Sequence, residues 1–249
     1  MRYFIELSYN GKDYHGWQIQ PNAISVQEVL EKAVFTLLRE KTNIVGAGRT
    51  DAGVHAIQIV AHFDSKDVLN EQDFTYKLNA LLPKTVAIQK VYRVLDDAHA
   101  RFHALKRSYK YKIVQHKDPF LYEFTHMVKQ SLDVGKMNEA AQILLQYTNF
   151  ECFSKVKTDV HTFNCTITHA KWTQENNQLV FTISADRFLR NMVRAIVGTL
   201  LAVGLGKLTL NDVHDIIQSK DRGKAGVSVP AQGLYLTEVI YPKAIIYGS

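Results

Sequence analysis

The chain has few cysteines, the residues that build disulfide frameworks and many zinc sites. Its 249 residues include only two cysteines, Cys152 and Cys165, which form no Cys-x-x-Cys pair. Their separation and the lack of a neighbouring ligand cluster argue against a disulfide scaffold and against a zinc site. We therefore expect two ordinary reduced thiols and no bound metal.

Long apolar runs are also missing. The first residues include Glu6 and Lys12 beside apolar side chains, which interrupts the apolar stretch that a secretory signal peptide requires. No later run approaches the length needed to cross a bilayer. The sequence therefore predicts a cytoplasmic protein.

Two nucleotide-binding motifs are absent from the most glycine-rich segment, residues 46–56. A dinucleotide fingerprint would need a third glycine where Asp51 stands, and a phosphate loop would need Gly-Lys-Ser/Thr at residues 53–55. The segment instead presents one carboxylate, Asp51, two positions after Arg49. Glycines allow close approach of another chain, so this acid could be presented to a partner, although an ordinary turn or capping aspartate is the alternative.

Positive charge is concentrated in the second part of the chain, where the formal net charge of +6 arises. Residues 1–105 hold 12 Lys and Arg against 12 Asp and Glu, whereas residues 106–249 hold 18 against 12. A basic surplus favours a polyanionic partner such as RNA. Mildly basic proteins that bind no nucleic acid are also common, so composition alone leaves both possibilities open.

Residues 1–105 show the patterns of a mixed α and β unit. Residues 2–9 have strand character, and a capping box at Ser25 and Glu28 begins an amphipathic helix. The remaining patterns predict strands at 43–47, 57–63 and 86–94 and a helix at 72–81. This order is typical of a ferredoxin-like split βαβ arrangement.

The rest of the chain is predicted to begin with a strand at 108–114. A helix at 134–147, a hairpin at 166–184, helices at 188–203 and 210–219 and a closing strand follow. No βα run is long enough for a barrel or a doubly wound sheet, so we predict an α+β fold of two domains, 1–105 and 106–249. No linker composition marks the boundary, and the two sheets could be continuous.

Several motifs, in order along nearly the whole chain, resemble the TruA family of tRNA pseudouridine synthases. Gly48-Arg49-Thr50-Asp51-Ala52-Gly53-Val54-His55 is similar to that family's catalytic loop. The other similar segments are residues 9–18, 25–28, 100–102, 107–111, 188–198 and 230–236. The family commonly has small or aromatic residues where Asp186, Arg187 and Arg190 stand, so local RNA contacts are expected to differ there.

The resemblance implies a specific set of site residues. Asp51 corresponds to the nucleophile, Tyr109 to a base-stacking tyrosine, and Arg194 to an arginine that pairs with the catalytic carboxylate. It also implies two α/β domains flanking a central basic cleft, action on uridines 38, 39 and 40 of the tRNA anticodon stem-loop, and a homodimer. Isomerisation of uridine needs neither cofactor nor metal, and no heptad seam is present, so a dimer would use globular surfaces.

Some assignments stay open at the level of sequence. Arg49 could hold RNA or fill the gap left by a flipped nucleotide, or could form a structural ion pair. Tyr109 and Tyr111 share one face of a predicted strand, and only the family pattern selects Tyr109 for stacking. Arg187 and Arg190 fall with Arg194 on one side of the predicted helix. The aromatic loop at residues 14–18 could contact RNA or cover the core.

Two other functions compete with isomerisation. A non-catalytic RNA-binding protein would use the same basic and aromatic residues without turnover. A hydrolase of N-glycosidic bonds could also use an aspartate nucleophile, but such enzymes normally need a second carboxylate as acid, and the Asp51 loop offers none.

Overall fold

Two compact units make up the chain, seen in a computed structural model that describes residues 1–156 and 160–248. The first unit comprises Met1–Lys106 and Tyr235–Ser249, and the second comprises Arg107–Leu234. The predicted α+β class is confirmed. The predicted boundary at residue 106 places residues 235–248 in the second domain, whereas in the structure they belong to the first unit. Pairing between strands that are distant in sequence brings them there, and local patterns do not encode such pairing.

The first unit has the strand order of a split βαβ fold. Its elements are β1 (Arg2–Tyr9), α1 (Val26–Leu38), β2 (Val45–Gly46), β3 (His55–Asp64), α2 (Glu71–Leu81) and β4 (Val86–Val94). The strands lie in the order β4-β1-β3-β2, and all neighbours are antiparallel. A further strand, β9 (Leu234–Ile240), runs parallel to the start of β3, with Tyr235 opposite His55.

Both faces of this sheet carry packed aromatic rings, because Tyr3 and Phe4 are neighbours on β1 and point to opposite faces. On one face, the ring of Tyr3 stacks with Phe63, and Phe63 stacks with Phe74 of α2. On the other face, Phe4 is fully buried in a cluster with the segment after β4 and with Ile245 near the end of the chain. The first helix begins as predicted, since the Ser25 side chain accepts from the Glu28 amide (3.2 Å).

The second unit repeats the same order of strand, helix, hairpin and helix. Its elements are β5 (Lys106–Val114), β6 (His126–Met127), α3 (Val134–Ile143), β7 (Ile167–Glu175), β8 (Gln178–Ala185), α4 (Met192–Gly204) and α5 (Leu210–Ser219). Strands β5, β8 and β7 are antiparallel neighbours in that order. Helix α4 is apolar around most of its circumference and is buried accordingly.

Each unit protects its outer strand with amide side chains of a helix. In the first unit, Asn79 of α2 donates to the carbonyl of Ile88 on β4 and accepts from its amide, both at 2.8 Å. In the second unit, Asn138 of α3 makes the same pair of bonds with Trp172 on β7 (3.2 and 2.8 Å). Strand-edge groups paired in this way cannot recruit another chain.

Three histidine rings organise the segment that follows β4. The Nδ1 atoms of His62, His99 and His103 accept from the amides of Ala100, Arg101 and His99 respectively, each at 3.1 Å. An Nδ1 atom accepts only when it carries no proton, so this arrangement requires neutral rings. Burial, and then the charge of Arg2, lower the pKa of His62 from 6.5 to about 4.

We predict that acid destabilises the protein partly through His62. Because its folded pKa lies below its unfolded pKa, the unfolded state binds the proton more readily, and stability is lost as pH falls from about 6.5 toward 4. The loss by pH 4.5 is about 2 to 3 kcal/mol from this group. Urea unfolding at pH 7.5 and 4.5 measures it.

His62→Gln is the matched variant, because an amide oxygen can still accept from Ala100 but does not titrate in this range. We expect the difference in unfolding free energy between the two pH values to shrink by about 2 kcal/mol in this variant. An unchanged difference would show that other groups carry the acid sensitivity.

Candidate active site

The Asp51 loop, residues 47–54, joins β2 to β3 in the first unit. It is tied to the sheet at its start, where the Ala47 amide donates to the Val60 carbonyl (2.7 Å). It ends in a tight turn in which the Val54 amide donates to the Asp51 carbonyl (3.2 Å) and Gly53 has φ +77°. A positive φ at the third position of a turn explains the glycine there. The turn leaves Asp51 at its first position.

The loop packs against residues 9–17, which comprise the end of β1 and the segment that follows it. The Trp17 amide donates to the Thr50 carbonyl (3.3 Å), and the Gly53 amide donates to the Tyr14 carbonyl (3.2 Å). The Thr50 side chain is buried and forms a hydrogen bond of 2.7 Å with the Tyr9 hydroxyl. Thr50 is therefore fixed through both its backbone and its side chain, and Asp51 follows it directly.

Two glycines after β1 allow this close packing. A Cβ atom on Gly11 would lie 1.9 Å from the Val54 carbonyl oxygen, and one on Gly16 would lie 2.2 Å from the Thr50 carbonyl oxygen. Gly16 also has φ +87°, which side chains rarely permit. The two backbones touch at both ends of the Asp51 turn, so any side chain here would displace the loop.

The aromatic loop at residues 14–18 is mainly a support for the site. Tyr14 and Trp17 are buried, and the Trp17 ring lies against Gly46 so closely that a Cβ there would be 2.5 Å from it. The Tyr14 hydroxyl bonds the Thr85 hydroxyl (2.7 Å). His15 and Gln18 are exposed. Of the two interpretations of this loop, the structure favours core packing for its two large aromatic residues.

Asp51 and Arg49 differ in exposure. Asp51 is partly buried, Thr50 is buried and Arg49 is exposed, an alternation that directs Arg49 and Asp51 away from the core. Within residues 1–156 and 160–248, Arg49 forms no ion pair, so the interpretation of a structural salt bridge receives no support. A cation available on the same loop as the carboxylate suits an anionic ligand.

His55, immediately after the loop, has a structural role. Its Nδ1 accepts from the Gly11 amide (3.1 Å), and its ring stacks on Tyr235 of β9 at 4.7 Å between ring centroids. It thus joins the opening loop to the start of β3. No group of three or more His, Cys, Asp or Glu residues in the described part of the chain is arranged to hold a metal ion.

Tyr109 and Tyr111 lie on β5 in the second unit and differ sharply in burial. Tyr111 is fully buried, its hydroxyl donates to the Pro230 carbonyl (2.9 Å), and burial raises its pKa above the ordinary value. Tyr109 is partly exposed and packs edge to face on Phe188, with ring centroids 5.1 Å apart. Only Tyr109 retains surface on which a base could stack, which supports the choice between the two rings.

Arg194 lies in the first turns of α4 and is held by the segment that precedes β9. Its Nε donates to the Val229 carbonyl (2.7 Å), and the Val229 amide donates back to the Arg194 carbonyl (3.2 Å). The Arg194 charge also acts on the Tyr111 hydroxyl, where it opposes the effect of burial on the pKa. The four predicted site residues are divided between the two units. Asp51 and Arg49 belong to the first unit, and Tyr109 and Arg194 belong to the second.

The predicted helical stripe of Arg187, Arg190 and Arg194 is wrong. Helix α4 begins at Met192, not at residue 188, because Asn191 has the left-handed conformation with φ +65°. Arg187 and Arg190 consequently precede the helix. Only Arg194 of the three belongs to it.

The two cysteines are shielded from solvent. Cys152 and Cys165 are buried and unbonded to each other, and burial raises the pKa of each thiol to about 12. This agrees with their interpretation as ordinary thiols. Among the helices that the structure describes, none is both long and apolar enough to cross a membrane.

Comparison with known proteins gives similarity over nearly the full length. The profile of a family described as tRNA pseudouridine synthase matches residues 7–103 and 140–242. A tRNA pseudouridine synthase A of Parabacteroides distasonis is 54% identical over 245 residues, which cover 98% of this chain and 97% of that protein. Proteins with the same name from Bacteroides fragilis and Bacillus licheniformis are 55% and 40% identical, over 98% and 97% of this chain and 98% and 99% of their own lengths.

We predict that Gly16→Ala destabilises the protein by about 2 kcal/mol or more, since the new methyl group meets the Thr50 carbonyl at a positive φ. Gly48→Ala in the Asp51 loop is the control, because no heavy atom lies within 4 Å of its added Cβ. Its unfolding free energy should stay within about 0.5 kcal/mol of the parent protein. Urea unfolding compares the two, and equal stabilities would contradict the role of the Gly16 contact.

Proposed function

Because the chain belongs to the tRNA pseudouridine synthase family, we propose that it is an isomerase that converts uridine to pseudouridine in tRNA, with Asp51 as the nucleophile. The observation that carries the assignment of Asp51 is its position next to the anchored Thr50. A partly buried carboxylate on a backbone tied at Ala47, Thr50 and Gly53 can meet a reacting base in one geometry.

The reaction moves one bond and conserves all atoms. The N1–C1′ glycosidic bond breaks, the uracil turns, C5 bonds to C1′, and the proton of C5 is released while N1 gains one. No electron is gained or lost overall, so the proposal includes no redox cofactor, and a single carboxylate supplies the nucleophile without a metal. Asp51 adds either to C6 of the base or to C1′ of the ribose, and both routes fit a single carboxylate nucleophile.

Arg194 is proposed as the cation that stabilises the ionised Asp51. A carboxylate in a site closed to water loses its hydration, which disfavours the ionised form. A guanidinium compensates for this loss through paired hydrogen bonds to the carboxylate. The bond from Nε to Val229 supports this role, because it fixes the plane in which the guanidinium lies. The pairing itself is part of the proposal.

Tyr109 and Arg49 are proposed to bind the nucleotide. A uracil turned out of the RNA stack needs a flat surface, and the partly exposed Tyr109 ring, held edge to face by Phe188, offers one. The exposed Arg49 would contact a phosphate or fill the space that the nucleotide leaves. The group that removes the C5 proton stays open.

We further propose that the substrates are uridines 38, 39 and 40 of the anticodon stem-loop, that the enzyme works in the cytoplasm and that it is a homodimer. Pseudouridine mapping across total RNA tests the first point. A deletion strain should lose the modification at these three positions and regain it with the intact gene but not with Asp51→Ala. Loss at other positions instead would overturn the site preference.

We predict that Asp51→Asn abolishes turnover, because the amide cannot act as the nucleophile. The loss of kcat should be on the order of a thousandfold or more. Tritium release from tRNA labelled at C5 of uridine measures turnover, and filter binding measures the Kd for tRNA, which should change little. Asp13→Asn, an exposed acid in the opening loop, is the control and should keep full activity.

The same assay separates the competing functions. Free uracil among the products would identify a glycosidic hydrolase, and stoichiometric binding without tritium release would identify a non-catalytic RNA-binding protein. Undiminished tritium release by the Asp51→Asn protein would overturn the proposed nucleophile.

We predict that Tyr109→Leu weakens catalysis through loss of stacking, whereas Tyr109→Phe keeps most of it. Stacking of a base on an aromatic ring contributes about 1 to 3 kcal/mol, so kcat/KM for the Leu variant should fall roughly 5- to 150-fold. Tyr76→Leu on the exposed face of α2 is the control. Equal losses for Phe and Leu would show that the hydroxyl, not the ring face, carries the function.

A further inference from the structure

The segment at residues 222–230 crosses α4 at the turn that follows Arg194. A Cβ atom on Gly198 would lie 1.9 Å from the Val227 carbonyl oxygen, and one on Gly226 would lie 2.5 Å from the Thr199 amide nitrogen. The Gly226 amide also donates to the Thr199 hydroxyl (2.9 Å). The backbone of the segment therefore contacts the backbone of α4 directly, which fixes the distance between them.

Arg222 holds this segment from within. Its Nη1 donates to the Gly226 carbonyl (3.2 Å), and its Nη2 donates to the Ser228 hydroxyl oxygen (2.8 Å). The same oxygen accepts from the side-chain amide of Asn191 (2.5 Å). One hydroxyl thus joins a guanidinium in the segment to Asn191, the residue that immediately precedes α4.

Asn191 accounts for the start of the helix. It is in the left-handed conformation, which asparagine tolerates better than most residues. Its side chain makes no capping bond to the helix and reaches Ser228 instead. The contact with Ser228 therefore fixes both the entry to α4 and the path of the 222–230 segment.

Val229, next to Ser228, forms the reciprocal pair with Arg194. Its carbonyl accepts from Arg194 Nε and its amide donates to the Arg194 carbonyl. Any shift of Ser228 is transmitted to Val229 through one peptide unit and hence to the guanidinium. A displacement of about 1 Å in such a group can cost on the order of a hundredfold in rate.

We propose that Arg222, Ser228 and Asn191 are positioning residues for Arg194, which set the orientation of its guanidinium in the reaction. This inference rests on the proposed function, in which Arg194 stabilises the reacting carboxylate. Arg222 has the charge to bind RNA phosphate, but it is partly buried and its Nη atoms serve the segment itself. Its role is to act through Arg194.

A double-mutant cycle on tRNA modification tests the coupling. Arg222→Gln should lower kcat about tenfold with KM within about twofold, and Arg194→Lys should lower kcat about a hundredfold. If Arg222 acts through Arg194, the double variant should match Arg194→Lys alone within about twofold. Multiplied losses in the double variant would overturn the proposal.

Two further variants are controls, one for misfolding of Arg222→Gln and one for the general effect of removing a positive charge. Ser228→Ala removes only the shared hydroxyl and should give the same coupling with Arg194→Lys, even if Arg222→Gln folds poorly. Lys224→Gln removes an exposed positive charge two residues along and should retain parental kcat and KM. A rise in KM for Arg222→Gln that Lys224→Gln shares would identify a general RNA contact and overturn the positioning role.

The outcome also distinguishes this inference from the function on which it rests. A parent protein that releases no tritium from tRNA refutes the proposed function. An active parent protein with independent effects at the two arginines refutes only the positioning network. Full activity in Arg194→Lys refutes the role of Arg194 and the network with it.

Discussion

The backbone contact between Gly16 and Thr50 is the constraint on which the geometry of the Asp51 loop depends. No side chain fits between these two stretches of backbone, and the Thr50 hydroxyl is bonded at the same point to Tyr9. The carboxylate that follows is therefore held by its neighbour and not by contacts of its own backbone alone. The glycines at 11 and 16 and the buried ring of Trp17 form one support with the loop, although they are far from it in sequence.

Sequence alone predicts the elements whose signals are local. Strand β4 has the predicted bounds, and β1 and α5 also match, because the periodicity of their apolar residues is a local signal. The Asp51 loop is recognisable from its residues. Its position between two sheet strands follows from the split βαβ order, which the pattern of helices and strands along the chain indicates.

The features that sequence does not predict depend on partners that are distant along the chain. The start of α4 is set by Asn191, whose side chain bonds Ser228, 37 residues away. The burial of Trp17 depends on Gly46, and the choice between Tyr109 and Tyr111 depends on where Pro230 lies. Patterns among neighbouring residues carry no information about these contacts between residues that are far apart in the sequence. The glycines at 198 and 226 are visible in the sequence, but only the close approach of the two backbones in the structure explains why neither position can carry a side chain.

The return of residues 235–248 to the first unit affects the order in which the protein can mature on the ribosome. Strand β9 lies beside the start of β3, and Ile245 shares a cluster with Phe4. Residues 107–234 must be translated before these partners emerge, which takes on the order of ten seconds at typical rates of synthesis. Until then Phe4 and its neighbours lack part of their apolar cover. The nascent first unit thus stays incompletely closed until residues 235–248 leave the exit tunnel.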